Sequence, residues 1–224
     1  FTWGNNSNGQ LGFNLSFIAI SAGTSTTSII RSDGTLWTWG LGTSGQLGDN
    51  TIVTKSSPVA VGLLKTYSKT TKPSFTNYGI DNTGKLYAWG DNSYGAIGDG
   101  TFISRSSPVQ VGNSSWTMVA TNIGNTVGQQ TAYAIRSDGA LFIWGNNTYG
   151  QGINGAAPTN SPTQLGTSSW SIVSGGNQFA MAITSDGKLF GWGRNDAGQL
   201  GISGSYSTFT WSKIVSSGLH TLAL

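Results

Sequence analysis

Short runs of apolar and β-branched residues, interrupted by glycine-containing turns, set the pattern of this chain. Ser28 to Arg31 and Tyr133 to Arg136 read as short β-type runs. Each leads into an Asp-Gly pair, Asp33-Gly34 or Asp138-Gly139, and Asp186-Gly187 stands at the matching place of a later unit. Glycine tolerates a positive φ, so the pair predicts a tight hairpin. A second strand with period-2 alternation then follows: Leu36, Trp37, Thr38, Trp39 in one unit, and Leu141, Phe142, Ile143, Trp144 in another. Pro108 to Val111 and Trp116 to Ala120 predict two further strands. The pattern gives about four short strands per unit and no helix.

The units recur in a fixed register. Trp-Gly appears at Trp3, Trp39, Trp89, Trp144 and Trp192. Six positions after each Trp lies a glycine: Gly9, Gly45, Gly95, Gly150 and Gly198. Nine positions on lies another in four units, at Gly12, Gly48, Gly98 and Gly201. Five positions before the last four Trp residues stand Gly34, Gly84, Gly139 and Gly187. Leu11, Leu47 and Leu200, in the Gln-Leu-Gly that ends the loop, are placed to plug back into the core. Four-stranded units at this period predict the blades of a β-propeller, an all-β fold occupying residues 1–224.

The stretches SDGTLWTWGLGTSGQLGD, SSPVQVG and SGLHTLAL resemble the regulator-of-chromosome-condensation repeat, and the resemblance runs through essentially the whole chain. It implies a propeller of seven blades, of which about five are visible here. The first and last units lack a Ser-Ser-Pro-Val segment, and the fourth reads Gly150-Gln151-Gly152-Ile153, which scrambles the usual ending. The chain opens on FTWG and stops on HTLAL, both inside a repeat, and joined they would make one blade. A closed ring of about five blades and a piece of a larger ring both fit. The larger ring is the expectation, because the family usually has more blades.

Composition narrows the chemistry. The 34 glycines are about twice the usual share of roughly 7 %, and charged residues make up 8 % against a usual 25 % or so. A net charge of +3 is too small to predict a nucleic-acid binder. Cysteine is absent, which excludes thiolate chemistry and zinc-thiolate sites, and no apolar run is long enough for a membrane-spanning helix. All eight acids are Asp, and each has a turn or loop position that explains it. The one histidine, His220, falls where the resemblance implies a histidine within the strand core. Without Cys or Glu it assembles no ordinary zinc site or Cys-His dyad. No catalytic residue, cofactor or metal is therefore expected. Lys55, Lys65, Lys69 and Lys72 form one basic stretch, read as a solvated loop.

A propeller gathers equivalent loops on one face, so the Asn-rich segments after Trp-Gly are the candidate binding surface. They contribute Asn5, Asn6, Asp91, Asn92, Tyr94, Asn146, Asn147, Tyr149, Arg194 and Asn195. Tyr94 and Tyr149 hold matching positions before a glycine and are expected to stand exposed as contact anchors. The expected function is a non-catalytic protein-interaction propeller, a structural or attachment component of a virion (phage) or bacterial cell surface. Its location would be extracellular or on the virion, and its partners protein neighbours or a receptor, with no nucleic acid and no membrane span. Two alternatives come with the resemblance: guanine-nucleotide exchange on a Ran-like small GTPase, and a secreted propeller-type enzyme inhibitor.

Overall fold

A computed structural model describes residues 16–62, 65–71, 74–122, 129–151 and 157–201, and the backbone of two further strands at 214–217 and 220–223. Blade 1 is β1 (Phe17–Ala22), β2 (Thr26–Arg31), β3 (Leu36–Gly40) and β4 (Lys55–Ala60). Blade 2 is β5 (Tyr67–Thr70), β6 (Thr76–Asp81), β7 (Leu86–Gly90) and β8 (Arg105–Gln110). Blade 3 is β9 (Trp116–Thr121), β10 (Thr131–Arg136), β11 (Leu141–Gly145) and β12 (Thr159–Gln164). Three strands of blade 4 follow, β13 (Trp170–Gly175), β14 (Phe179–Thr184) and β15 (Leu189–Gly193), then the pair β16 (Ile214–Ser217) and β17 (His220–Ala223). Every blade is an antiparallel meander, with strands hydrogen-bonded in chain order. No helix occurs among the described residues.

The Asp-Gly turns join the second strand of each blade to the third. Gly34, Gly84, Gly139 and Gly187 all take φ between 82° and 88°, and in blade 1 the Arg31 carbonyl accepts from Gly34 N at 2.9 Å. The preceding carboxylate tightens the turn: Asp33 Oδ1 accepts from Thr35 N at 2.9 Å and from Thr35 Oγ1 at 2.6 Å. In blade 2 the acid sits two residues earlier, and Asp81 Oδ1 accepts from Thr83 N and Lys85 N instead.

The core lies between blades, which is why the middle strands are buried on both faces. On β10, Ala132 and Ala134 pack toward blade 2, against Tyr78, Ile80 and Leu86. Alternate residues Tyr133 and Ile135 pack toward blade 4, against Val173, Ala180, Ala182 and Trp192. A small-residue face thus meets a large-residue face at each junction, and each large side chain so buried contributes about 1.5–3 kcal/mol. The aromatic that opens the first strand completes the packing: Tyr67, Trp116 and Trp170 are all buried. Their backbone N–H groups donate across the junction to Gly34, Gly84 and Gly139 carbonyls at 2.7, 2.7 and 2.8 Å. Phe17, at the same register position of blade 1, is 60 % exposed, and no blade precedes it among the described residues.

Candidate functional site

Two ends of the blades differ in make-up. One carries the Asp-Gly turns and the links between blades. The other carries the β1–β2 type hairpins and the long loops between third and fourth strands, and it holds the expected binding segments.

The motif residues of these loops turn inward. Trp89 Nε1 donates to Gln46 O of the preceding blade at 3.1 Å, Trp144 Nε1 to Ala96 O at 2.7 Å, and Trp192 Nε1 to Gln151 O at 2.9 Å. The same carbonyls accept from their own or the next blade: Tyr78 Oη on Ala96, Tyr133 Oη on Gln151, Asn77 Nδ2 on Gln46. Burial pushes the Tyr78 and Tyr133 hydroxyls far above the ordinary tyrosine range, so they remain donors. Gln151 keeps this role even though the sequence after it departs from the repeat.

Both loop glycines are placed by the neighbouring blade. A Cβ on Gly48 would stand 2.8 Å from Trp89 Nε1, and one on Gly98 would stand 2.6 Å from Trp144 Nε1. A Cβ on Gly45 would meet Ser106 Cα at 2.7 Å, and one on Gly95 would meet Asn160 Cα at 2.6 Å.

Most of the amide residues nominated from sequence serve as loop braces. Asn92 is fully buried: its Nδ2 donates to the carbonyls of Thr101 and Ile103 at 3.0 and 3.1 Å, and its Oδ1 accepts from Ile97 N at 2.8 Å. Asn195 Oδ1 does the same for Leu200 N at 3.0 Å. Asp91, Asn146 and Asn147 are buried too, with Asp91 accepting from Ser93 Oγ and Asn146 from Thr148 N. Arg194 is half-buried, ion-paired with Asp196 at 2.6 Å and bonded to Gln178 Oε1 at 3.1 Å. Tyr94 and Tyr149 stand out from the surface, 41 % and 47 % exposed, and Arg194 lies over the Tyr149 ring. Asn5 and Asn6 lie outside the described residues. The basic stretch is spread out where it is described: Lys55 pairs with Asp49 at 3.6 Å at the loop end, Lys65 covers the Tyr87 ring beyond β4, and Lys69 lies on β5 and donates to Thr117 O, while Lys72 lies outside the described residues.

One exposed feature escaped the sequence reading. Ile52 and Val53 in blade 1, and Phe102 and Ile103 in blade 2, are between 52 % and 66 % exposed. Each pair follows an Asp-x-Thr turn, in which Asp49 or Asp99 accepts from the N–H and hydroxyl of Thr51 or Thr101. The threonine hydroxyl then accepts from Val53 N or Ile103 N. Hydrogen bonds from backbone N–H groups to the Asp and Thr side chains thus hold the backbone under each apolar pair. Burial would raise the Asp99 carboxyl, but hydrogen bonds from Thr101 and Arg105 outweigh it and hold it below the ordinary range. Arg105 grips Asp99 through Nε and Nη2 at 2.9 and 2.6 Å. The signal was available in the sequence: the pairs recur between Asp-x-Thr and a basic residue leading Ser-Ser-Pro-Val, with no turn role of their own.

Among the described residues no group of three or more His, Cys, Asp or Glu is placed to hold a metal ion. No described helix is long and apolar enough to cross a membrane.

No curated protein matches the sequence. Among solved structures, human WBSCR16 superposes with a TM-score of 0.80 at 20 % identity, over 95 % of this chain and 58 % of its own. Prp20p from Saccharomyces cerevisiae, a structure described with its binding properties to Gsp1p and histones, gives 0.73 at 16 % identity, over 94 % of this chain and 56 % of its own. The receptor kinase CR4 ectodomain of Physcomitrella patens gives 0.60 at 15 % identity, over 93 % and 50 %. This chain therefore spans about half the length of these structures, which share its propeller fold. Two profiles, both described as Regulator of chromosome condensation (RCC1) repeat, match the sequence, one at residues 17–46, 126–151 and 170–199, the other at 33–73 and 83–122. With those matches covering most of its length and the blades built as described, the chain belongs to the regulator of chromosome condensation (RCC1) repeat family of β-propellers.

Proposed function

We propose that this propeller is a non-catalytic protein-binding module that engages its partner through the face carrying the long loops. The observation that carries the reading is the apolar pair repeated in adjacent blades, Ile52-Val53 and Phe102-Ile103, exposed on loops whose backbone is already pinned. Loops pinned this way lose little further backbone freedom on binding, which favours association. Tyr94 and Tyr149 add aromatic anchors to the same face. Its charges are largely paired within the chain, Lys55 to Asp49, Arg105 to Asp99 and Arg194 to Asp196. Binding there depends on apolar contact and amide hydrogen bonds, and only weakly on salt.

The setting that suits a charge-poor, Asn-, Ser-, Thr- and Gly-rich surface is an extracellular or virion-surface assembly, in which the propeller holds neighbours or a receptor. The test is cross-linking of that assembly from its native source, followed by incorporation of a Phe102→Asp, Ile103→Asp variant. Cross-links at 43–54 and 91–104, with incorporation lost and thermal stability kept, support the proposal. A chain that incorporates normally with both charges in place refutes it.

A second reading rests on the likeness to Prp20p, whose described binding to Gsp1p and histones points to a role on a small GTPase. A nucleotide-release assay with a Ran-like GTPase decides between the two. Acceleration by the purified chain favours exchange, and no acceleration favours the assembly role.

A further inference from the structure

The junction between blades 1 and 2 opens on the loop face as a cavity of about 130 Å³, lined by Thr24, Ser25, Thr26, Leu41, Gln46, Ser74 and Phe75. That is close to the roughly 150 Å³ that admits a benzene-sized molecule. Its meaning comes from the next junction, where the chain itself supplies the occupant.

Ser25, Phe75 and Gln130 are equivalent positions. Each precedes the second strand's first residue, and each carbonyl accepts from the residue after Trp-Gly: Leu41 N to Ser25 O, Asp91 N to Phe75 O, Asn146 N to Gln130 O. At the junction of blades 2 and 3 the Gln130 side chain crosses to blade 2, and its Oε1 accepts from Thr76 N. Gln130 is 1 % exposed, so its carboxamide fills that junction. At the junction of blades 1 and 2 the corresponding residue is Phe75, which carries no acceptor. Thr26, the equivalent of Thr76, lines the cavity there.

The surroundings favour an amide more in the open junction than in the filled one. Gln130 Nε2 is buried with no hydrogen-bond partner among the described residues. The blade 2 residue at the mouth of its junction is Phe75, which cannot accept. In the open junction Ser25 holds that place, with Thr24 and Ser74 beside it, so three hydroxyls are available for the NH₂ group. Leu41 and Phe75 give apolar walls for a methylene stem.

We propose that this cavity is a binding site for a primary carboxamide, the Asn or Gln side chain of a partner protein, which completes the first junction as Gln130 completes the second. The partner as its source rests on the protein-binding reading above; the site itself does not. A charged carboxylate is disfavoured, because it offers no donor to the hydroxyls and no basic side chain lines the cavity among the described residues.

The test is an NMR titration of the full 224-residue chain with three probes: the N-acetyl methylamides of glutamine, leucine and glutamate. The glutamine probe is expected to give saturable shifts at Thr24, Ser25, Thr26, Leu41, Ser74 and Phe75. The other two are expected to bind at least about tenfold more weakly, the worth of a hydrogen bond or more. Phe75→Gln supplies the carboxamide from within and should abolish the shifts, and Ser25→Ala should weaken binding several-fold. Absence of saturable shifts, equal response to leucine, or full binding by a folded Phe75→Gln variant overturns the proposal. The comparison of the three probes on the unmodified chain stands even where a variant fails to fold. A chain that takes the glutamine probe but joins no assembly retains this site and loses the assembly reading.

Discussion

Gly98→Ala is the sharpest perturbation of the blade-to-blade lock. Gly98 has a φ of +79°, and a Cβ there would lie 2.6 Å from Trp144 Nε1. The indole has little room to yield, since Tyr78 and Trp116 flank it with ring centroids 6.2 Å away and its N–H is bonded to Ala96 O at 2.7 Å. Two costs add. A left-handed conformation costs a residue with a Cβ about 1–2 kcal/mol, and overpacking a filled junction costs about 1–3 kcal/mol more. The expected loss is therefore about 2–5 kcal/mol, read as a lower urea midpoint at unchanged slope. Gly112→Ala is the control, with a φ of +60° and nothing within 4 Å of the added Cβ. It should lose only the backbone share, about 1–2 kcal/mol. Trp144→Phe removes the nitrogen that the new methyl meets, so Gly98→Ala should cost less in that background, with a coupling of about 1 kcal/mol. Equal losses at the two glycines, or no coupling to Trp144, would refute the account of this motif glycine.

Three further outcomes are expected. Asn92→Ala should cost about 2–3 kcal/mol in chemical unfolding, because Ile97 N and two loop carbonyls lose their buried partner. Tyr94→Ala should change stability by less than about 0.5 kcal/mol while lowering partner capture, so a stable Asn92→Ala or an unfolded Tyr94→Ala would invert the assignment. Acid should destabilise late. Hydrogen bonding from Arg136 holds Asp138 to about 2, and Asp81 and Asp99 are also lowered, with hydrogen bonds from threonine outweighing burial. Folded values below the unfolded ones mean this stability is full above about pH 4 and is lost as pH falls through the folded values. Melting temperature should thus stay level from about pH 7 to pH 5 and drop below about pH 4; a fall already complete at about pH 5 would contradict the assignment.

The blades were legible because their signals are local. Asp-Gly turns, period-2 runs and the Trp-Gly register depend on neighbours in sequence, and the structure realises them as three complete blades plus part of a fourth. The loops were harder to read because their chemistry is set by partners several residues away, within the loop or in the next blade. An Asn-rich segment looks like a wet surface, yet Asn92 is fully buried as the brace of its own loop. Its partners are the carbonyls of Thr101 and Ile103, nine and eleven residues on. No periodicity announces such a contact. Tyr94 was legible for the opposite reason, since it follows the brace and precedes a glycine pressed against the next blade, leaving its ring no inward path.

The same separation explains why family membership says little about the partner. The residues that define the repeat are spent on holding blades together: Trp89, Trp144 and Trp192 donate to the preceding loop, Gly48 and Gly98 admit the first two indoles, and Gln46, Ala96 and Gln151 supply the carbonyls. Any sequence that closes these junctions matches the repeat, whatever it binds. Partner choice must reside in positions the junctions leave free, and on this chain those include the apolar pairs at 52–53 and 102–103. Exchanging Ile52-Val53 and Phe102-Ile103 for Ser-Ser should therefore leave the fold, the melting temperature and the match to the repeat intact while removing association. If association survived that exchange, the specificity would lie in the scaffold after all, and the likeness to other propellers of the family would carry more functional weight than the loops.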